Sequence, residues 1–215
     1  MDIALVERVL PYFLEAAGMT VAISLLSFIL GMILAATLTA MRLSPSRTLR
    51  SIGSIYVSIF RGTPCLVQLF LLYFGGPQIG INLSPFTAGW IGLGINIAAY
   101  MAESMRGAIL AVDKGQSEAA RTIGFGRIRT MWLVILPQSA RLMIRPLGVN
   151  TVALIKGSSL VSAISVVDLA YTAQRYISST FRPFEIFAVA ALLYMLIIVA
   201  VSMLVRLADR RFAID

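Results

Sequence analysis

Uncharged apolar stretches alternate along the chain with short clusters of basic residues. Met19–Met41 is 23 residues without a charge, more than the about 20 that a helix needs to cross a bilayer. Gly62–Ala102 is uncharged for 41 residues, too long for one crossing. Gly75-Gly76-Pro77 and Ser84-Pro85 interrupt it, which predicts two spans joined by an uncharged turn. The first of these is short unless it begins before Arg61. Pro146–Val167, broken only by Lys156, predicts a fourth span and Ile186–Val205 a fifth. Ahead of them, Ile3, Val6, Leu10, Phe13 and Leu14 share one helical face, with Glu7, Arg8 and Glu15 elsewhere. That pattern predicts an amphipathic segment, residues 1–18, lying on the membrane surface. The transmembrane unit follows as residues 19–215. The first residues lack a basic run and a small-x-small site, so they are not read as a cleaved signal.

Composition strengthens this picture. The chain of 215 residues is 59% hydrophobic and 13% charged, and its mean hydropathy is +0.88. Soluble domains are about 45–50% apolar and about 25% charged. The expected fold class is an all-α membrane protein with five transmembrane helices. The net charge of +8 would suggest nucleic acid in a soluble protein; here basic loops beside lipid explain it, and no nucleic-acid partner is expected. Arg42, Arg47, Arg50 and Arg61 follow span one. Arg106, Lys114, Arg121, Arg127, Arg129, Arg141 and Arg145 lie between spans three and four, and Arg206, Arg210 and Arg211 follow span five. Only Arg8, Arg175 and Arg182 fall on the other side. The positive-inside rule then predicts an outside N-terminus and a cytoplasmic C-terminus. The chain shows no internal repeat and no separate soluble domain.

Much chemistry is excluded. There is no His, and Cys65 is the only cysteine, so imidazole metal sites, His general bases, thiolate clusters and internal disulfides are absent. No Gly-x-x-x-x-Gly-Lys-Ser/Thr segment is present to cradle a nucleotide phosphate. Carboxylates in or beside spans are few: Glu103, Asp168 and Glu185. Ser27, Gly31, Ala35 and Thr39 recur at steps of four, a small-residue stripe suited to close helix packing, within the chain or at a subunit interface.

The segment of about 40 residues from Arg106 to Arg145 is long enough to have a task of its own. In Gln116-Ser117-Glu118-Ala119-Ala120-Arg121-Thr122-Ile123-Gly124-Phe125-Gly126, Ser117 can cap a helix start, Glu118 suits its first turn, and Gly124 and Gly126 can end it. The expected product is a rigid knob below the membrane, able to transmit force to a cytoplasmic partner; the alternative is a solvated loop. Lys156 is the one cation within a span. Such a residue costs about 2.5–3.5 kcal/mol on insertion scales and normally faces a cavity or partner. Ser158 and Ser159 beside it could line a polar path. Asp168, at the outer end, is read either as a substrate carboxylate or as a cap. Arg61 is read either as a headgroup anchor or as part of a hinge with Pro64. Glu103 and Arg106, three apart on a helix, can pair.

Glu118-Ala119-Ala120, then Gly124, then Leu136-Pro137 resembles the EAA loop of bacterial ABC importer permeases, with Val134 where that motif has Ile. Arg61-Gly62-Thr63-Pro64 with Gln68 is similar to the opening of span two in the polar amino-acid group of these permeases, the histidine, glutamate, glutamine, arginine and opine family. Ala99-Tyr100-Met101-Ala102-Glu103 with Arg106-Gly107-Ala108-Ile109 resembles their third-span exit. Lys156-Gly157-Ser158-Ser159-Leu160 resembles their Lys-Asp-Thr-Ser-Leu stretch, with Gly157 where Asp is common. The resemblance runs from about Thr20 to Arg206.

It implies a type I importer-like permease, a binding-protein-dependent inner-membrane component in the bacterial cytoplasmic membrane. Two ATP-binding subunits, a second permease subunit that is identical or homologous, and an external solute-binding protein are implied as partners. ATP and Mg belong to the partner ATPase, with no cofactor in this chain and no enzyme activity of its own. The implied coupling residues are Glu118, Ala119, Ala120, Gly124, Leu136 and Pro137. The implied path of a polar amino acid runs by Arg61, Gln68, Lys156, Ser158, Ser159 and Asp168. Two other classes stay open: a self-contained channel or secondary transporter, and a membrane anchor or assembly factor.

Overall fold

The computed structural model describes residues 3–212; Met1, Asp2 and residues 213–215 of the expected segments lie outside it. Its helices are α1 (Ile3–Leu43), α2 (Arg47–Gly62), α3 (Cys65–Phe70), α4 (Pro85–Leu110), α5 (Lys114–Thr122), α6 (Arg127–Thr130), α7 (Leu136–Gly157), α8 (Leu169–Thr180) and α9 (Pro183–Phe212). No strand occurs among the described residues. Ala4–Leu43, Arg127–Ile164 and Pro183–Arg211 are long and apolar enough to cross a membrane, and the bent pair Arg47–Gly62 with Cys65–Ile79 brings the number to four. Helix α4, at 26 residues, spans about 39 Å at 1.5 Å per residue but is less apolar.

The amphipathic segment and the first span are one helix, not two. Helix α1 runs unbroken for 41 residues, about 60 Å, because nothing near position 18 stops it. The face that packs is also shifted. Leu5, Val9, Phe13 and Ala16 are buried, whereas Leu10 and Leu14 are exposed. Their partners are Leu169 and Ala173 of α8 and Ile186, Val189, Ala190 and Leu193 of α9. The segment thus docks on protein through a stripe that keeps Phe13 and, half-buried beside it, Val6 of the expected face.

The larger core joins the second half of α1 to α4, α7 and the turn 158–164. The small-residue stripe does the packing expected of it. Ser27 donates its hydroxyl to the Trp90 carbonyl at 3.0 Å and Thr39 to the Ala102 carbonyl at 3.2 Å, while Ala35 is fully buried. At Gly31 a Cβ would lie 2.6 Å from Cγ2 of Ile97, so α1 and α4 touch where glycine leaves room. Gly31→Val is expected to destabilise the chain by about 1–3 kcal/mol through overpacking, read as a lower midpoint of unfolding in mixed detergent micelles. An unchanged midpoint would mean that α4 moves aside freely.

Candidate functional site

Helix α5 begins four residues earlier than the Ser117 cap predicts. Asp113 is the cap, its side chain accepting from the Gly115 N–H at 2.7 Å, so Glu118 sits mid-helix. Glu118 and Ala119 are exposed and Ala120 is buried. The other end closes at Gly124, whose φ is +82°. The Gly124 N–H bonds to the Arg121 carbonyl and the Phe125 N–H to the Ala120 carbonyl, each at 3.0 Å, the paired bonds of a left-handed helix cap. Gly126 does not end α5; it caps the start of α6.

The side chain of Gln138 donates to Gln116 at 3.1 Å and to the Val134 carbonyl at 3.0 Å, tying α5 to α7. Leu136 opens α7 with Pro137 in its first turn, after a π-helical turn at Met131–Ile135. Proline lacks an N–H to continue the preceding ladder, which fits a wide turn there. Ile123, Ile128, Trp132 and Leu133, which the sequence reading did not single out, stay 62–76% exposed around the knob.

Between α2 and α3 the chain turns by 103° through extended Thr63 and Pro64. Pro64 has no N–H for the carbonyl of Phe60, four residues back. Two side chains supply the missing donors. Gln68 and Asn96 both donate to that carbonyl at 3.1 Å, and Asn96 also donates to the Gln68 side-chain oxygen at 3.0 Å. Gln68 further donates to the Thr63 hydroxyl at 2.8 Å. The elbow is therefore a braced bend. The signal for it lay in the spacing of Phe60, Pro64 and Gln68, one helical turn apart each time.

Arg61, at the end of α2, completes a cluster that joins three helices. Glu103 of α4 meets Arg42 of α1, Arg61 at 3.5 Å and Arg106 at 3.2 Å, and Arg61 also lies 5.4 Å from the ring centre of Tyr100. The expected Glu103–Arg106 pair is present. Arg42 and Arg61 come from elements whose approach only the fold defines. Three guanidiniums against one carboxylate leave a surplus of positive charge at this end of the bundle.

Lys156 is exposed in the last turn of α7, where its charge also suits the negative end of the helix dipole. It forms no ion pair among the described residues. The serines after it turn back: Ser158 donates to the Ile155 carbonyl at 2.7 Å and Ser159 to the Lys156 carbonyl at 2.9 Å, satisfying acceptors that a helix end leaves free.

Two of the expected path residues, Ser158 and Asp168, are fully buried within the chain. Asp168 takes its other expected role and caps α8. It accepts from the Tyr171 N–H at 2.8 Å and from the Tyr194 hydroxyl at 3.1 Å. Burial pushes its carboxyl above the ordinary value, and these hydrogen bonds pull it back. Beside it, Thr20 accepts from the Leu169 N–H at 3.2 Å, so this buried polar cluster links α1, α8 and α9. Arg61, Gln68, Lys156 and Ser159 remain on accessible or half-buried faces.

Comparison with known proteins fits this geometry. Residues 10–214 match the family described as binding-protein-dependent transport system inner membrane component. The chain is 38% identical to the probable amino-acid ABC transporter permease protein PatM of Vibrio harveyi, over 91% of this chain and 89% of that one. It is 40% identical to the L-cystine transport system permease protein TcyB of Bacillus subtilis, over 89% of this chain and 82% of that one. A crystal structure of an amino acid ABC transporter with histidines superposes with a TM-score of 0.92 at 36% identity, covering 98% of this chain and 99% of that one. With a capped knob, a braced elbow and similarity along nearly its whole length, the chain belongs to the binding-protein-dependent transport system inner membrane components, as a permease subunit of an ABC importer.

Proposed function

We propose that this permease carries a polar amino acid across the bacterial cytoplasmic membrane, driven by ATP that separate subunits hydrolyse. It crosses the membrane five times, through α1, the bent α2–α3 pair, α4, α7 and α9, with its N-terminus outside and its C-terminus in the cytoplasm. A second permease, identical or homologous, completes the path. Two ATPase subunits bind ATP and Mg, and an external solute-binding protein delivers the solute. Arg61, Gln68, Lys156 and Ser159 face the path. The substrate class rests on the names of the relatives; the transport mode rests on the knob.

The knob is the observation that carries the reading. It is capped at both ends, tied to α7 by Gln116 and Gln138, and surrounded by exposed apolar side chains. Movement of an ATPase partner against α5 would therefore reach α7 as rigid-body motion. A self-contained channel or secondary transporter gives such a knob no role.

Two substitutions test it. Glu118→Lys reverses an exposed charge that the fold does not use. Gly124→Val forces a β-branched residue into the left-handed region, a conformation that costs an L-residue about 1–2 kcal/mol, and so disrupts the cap. Both variants are expected to insert normally and to lose co-purified ATPase by at least roughly tenfold, which is about 1.4 kcal/mol of docking energy. Full retention of ATPase and of uptake in both would overturn the coupling role of α5.

A further inference from the structure

A cavity of about 400 Å³ lies between the first half of α1 and α8, within the size range of small-molecule sites. Its floor is made by Ala16 and Thr172, which are 2% and 5% exposed. Tyr12 and Tyr176 stand together in its lining, their ring centres 5.8 Å apart and tilted by 44°. Glu15 is the only acid in the lining and Arg175 the only base. Neither is in an ion pair among the described residues. Arg8 also places positive charge near Tyr176. Opposite charges held around one cavity without neutralising each other are complementary to a ligand that carries both.

The cavity is remote from the cluster of Glu103 with Arg42, Arg61 and Arg106. Glu15 and Arg42 sit on one continuous helix, 27 residues and so about 40 Å apart. The Glu103 cluster is therefore a membrane thickness away, and the cavity opens at the opposite end of the bundle.

We infer that this cavity is a binding site for a small zwitterion bearing a primary ammonium and an anionic group. The ammonium meets the Glu15 carboxylate and the faces of Tyr12 and Tyr176. The anionic group meets the Arg175 guanidinium, which can hold a carboxylate or phosphate by two parallel hydrogen bonds. Two molecules share this chemistry: a free amino acid at the outer mouth, and the phosphatidylethanolamine headgroup of the outer leaflet. The outer placement and the amino-acid source rest on the function proposed above; the charge pattern of the cavity does not.

The experiment uses the intact complex in nanodiscs, without ATP and without solute-binding protein. In the first arm the lipid is phosphatidylcholine alone and the probe is a radiolabelled mixture of L-amino acids. In the second arm phosphatidylethanolamine is included, and native mass spectrometry counts the molecules retained. Both arms compare wild type with Glu15→Gln and Arg175→Gln, whose side chains are exposed and in no ion pair among the described residues. A fall of at least about tenfold in retained label in both variants supports the site with a free amino acid as occupant. Loss of retained phosphatidylethanolamine in both supports the site with a headgroup as occupant. Label and lipid that ignore both substitutions overturn the site. Where that happens in a complex that still performs ATP-driven uptake, the cavity proposal alone fails. A chain that purifies without any ATPase counts against the transport reading instead, and the lipid arm still reports on the cavity.

Discussion

Replacing Lys156 with methionine is expected to leave the complex assembled and to reduce uptake by about 10–100-fold. The size follows from losing one charge-assisted hydrogen bond, about 1.5–3 kcal/mol, at about 1.4 kcal/mol per factor of ten. The structure makes the two halves of this expectation separable. Lys156 is exposed and pairs with no acid among the described residues, so its removal orphans no buried carboxylate. What the fold loses is a favourable charge at the α7 C-terminus, about 0.3–1 kcal/mol. An ammonium on an apolar span has reason to persist if it meets a solute carboxylate, a group that every amino acid carries. Lys156→Arg is expected to retain part of the activity, because a planar guanidinium presents its donors differently from a compact ammonium. Uptake of radiolabelled amino acid into proteoliposomes, scaled to the amount of intact complex, decides the matter. Normal uptake by the methionine variant would leave Lys156 as a helix-end charge only.

The second large effect is expected at Glu103. Glu103→Gln keeps the shape and leaves Arg42, Arg61 and Arg106 facing one another without an acid. Breaking a fully buried ion pair costs about 3–5 kcal/mol. The Glu103 side chain is 26% exposed and that of Arg61 is 44% exposed, so water screens part of the repulsion and about 1–3 kcal/mol is expected. Glu103→Asp should recover part of the loss. Adding Arg42→Met to Glu103→Gln should recover more, because it removes one of the repelling charges. A double-mutant cycle on the midpoint of detergent-induced unfolding measures this coupling. Additive effects of the two substitutions would show that the cluster is not a clamp between α1, α2 and α4.

The two sites were legible to different degrees. The knob is local: its cap residue Asp113, its closing Gly124 and its partner Gln138 lie within 26 residues of one another. Glycine at a helix end carries its conformational reason with it, so Gly124 was readable at once. The cap at its start was misplaced from Asp113 to Ser117, because both residue types can cap and only the helix that forms chooses between them. The elbow was half legible. Pro64 announces a break, but Asn96 arrives from another helix to fill the vacated carbonyl of Phe60. At Asp168 the sequence left both a substrate contact and a cap open; the fold buries it among α1, α8 and α9, where it caps α8.

By itself the sequence determined that the chain is helical and lives in a membrane, because an excess of apolar residues in uncharged runs has no other stable solvent. It also determined where the breaks fall, at Gly75–Pro77, Ser84–Pro85 and Gly124, since glycine and proline act on their own backbone whatever surrounds them. Tertiary structure alone decided which face of α1 is covered, whether residues 1–18 form a separate segment, and which arginines gather on Glu103. Those outcomes depend on groups brought together across the chain: the Leu169 N–H with the Thr20 hydroxyl, and Arg42 with Glu103. A helix pattern records that a face is apolar, but the element that packs on it sets which of its residues are buried.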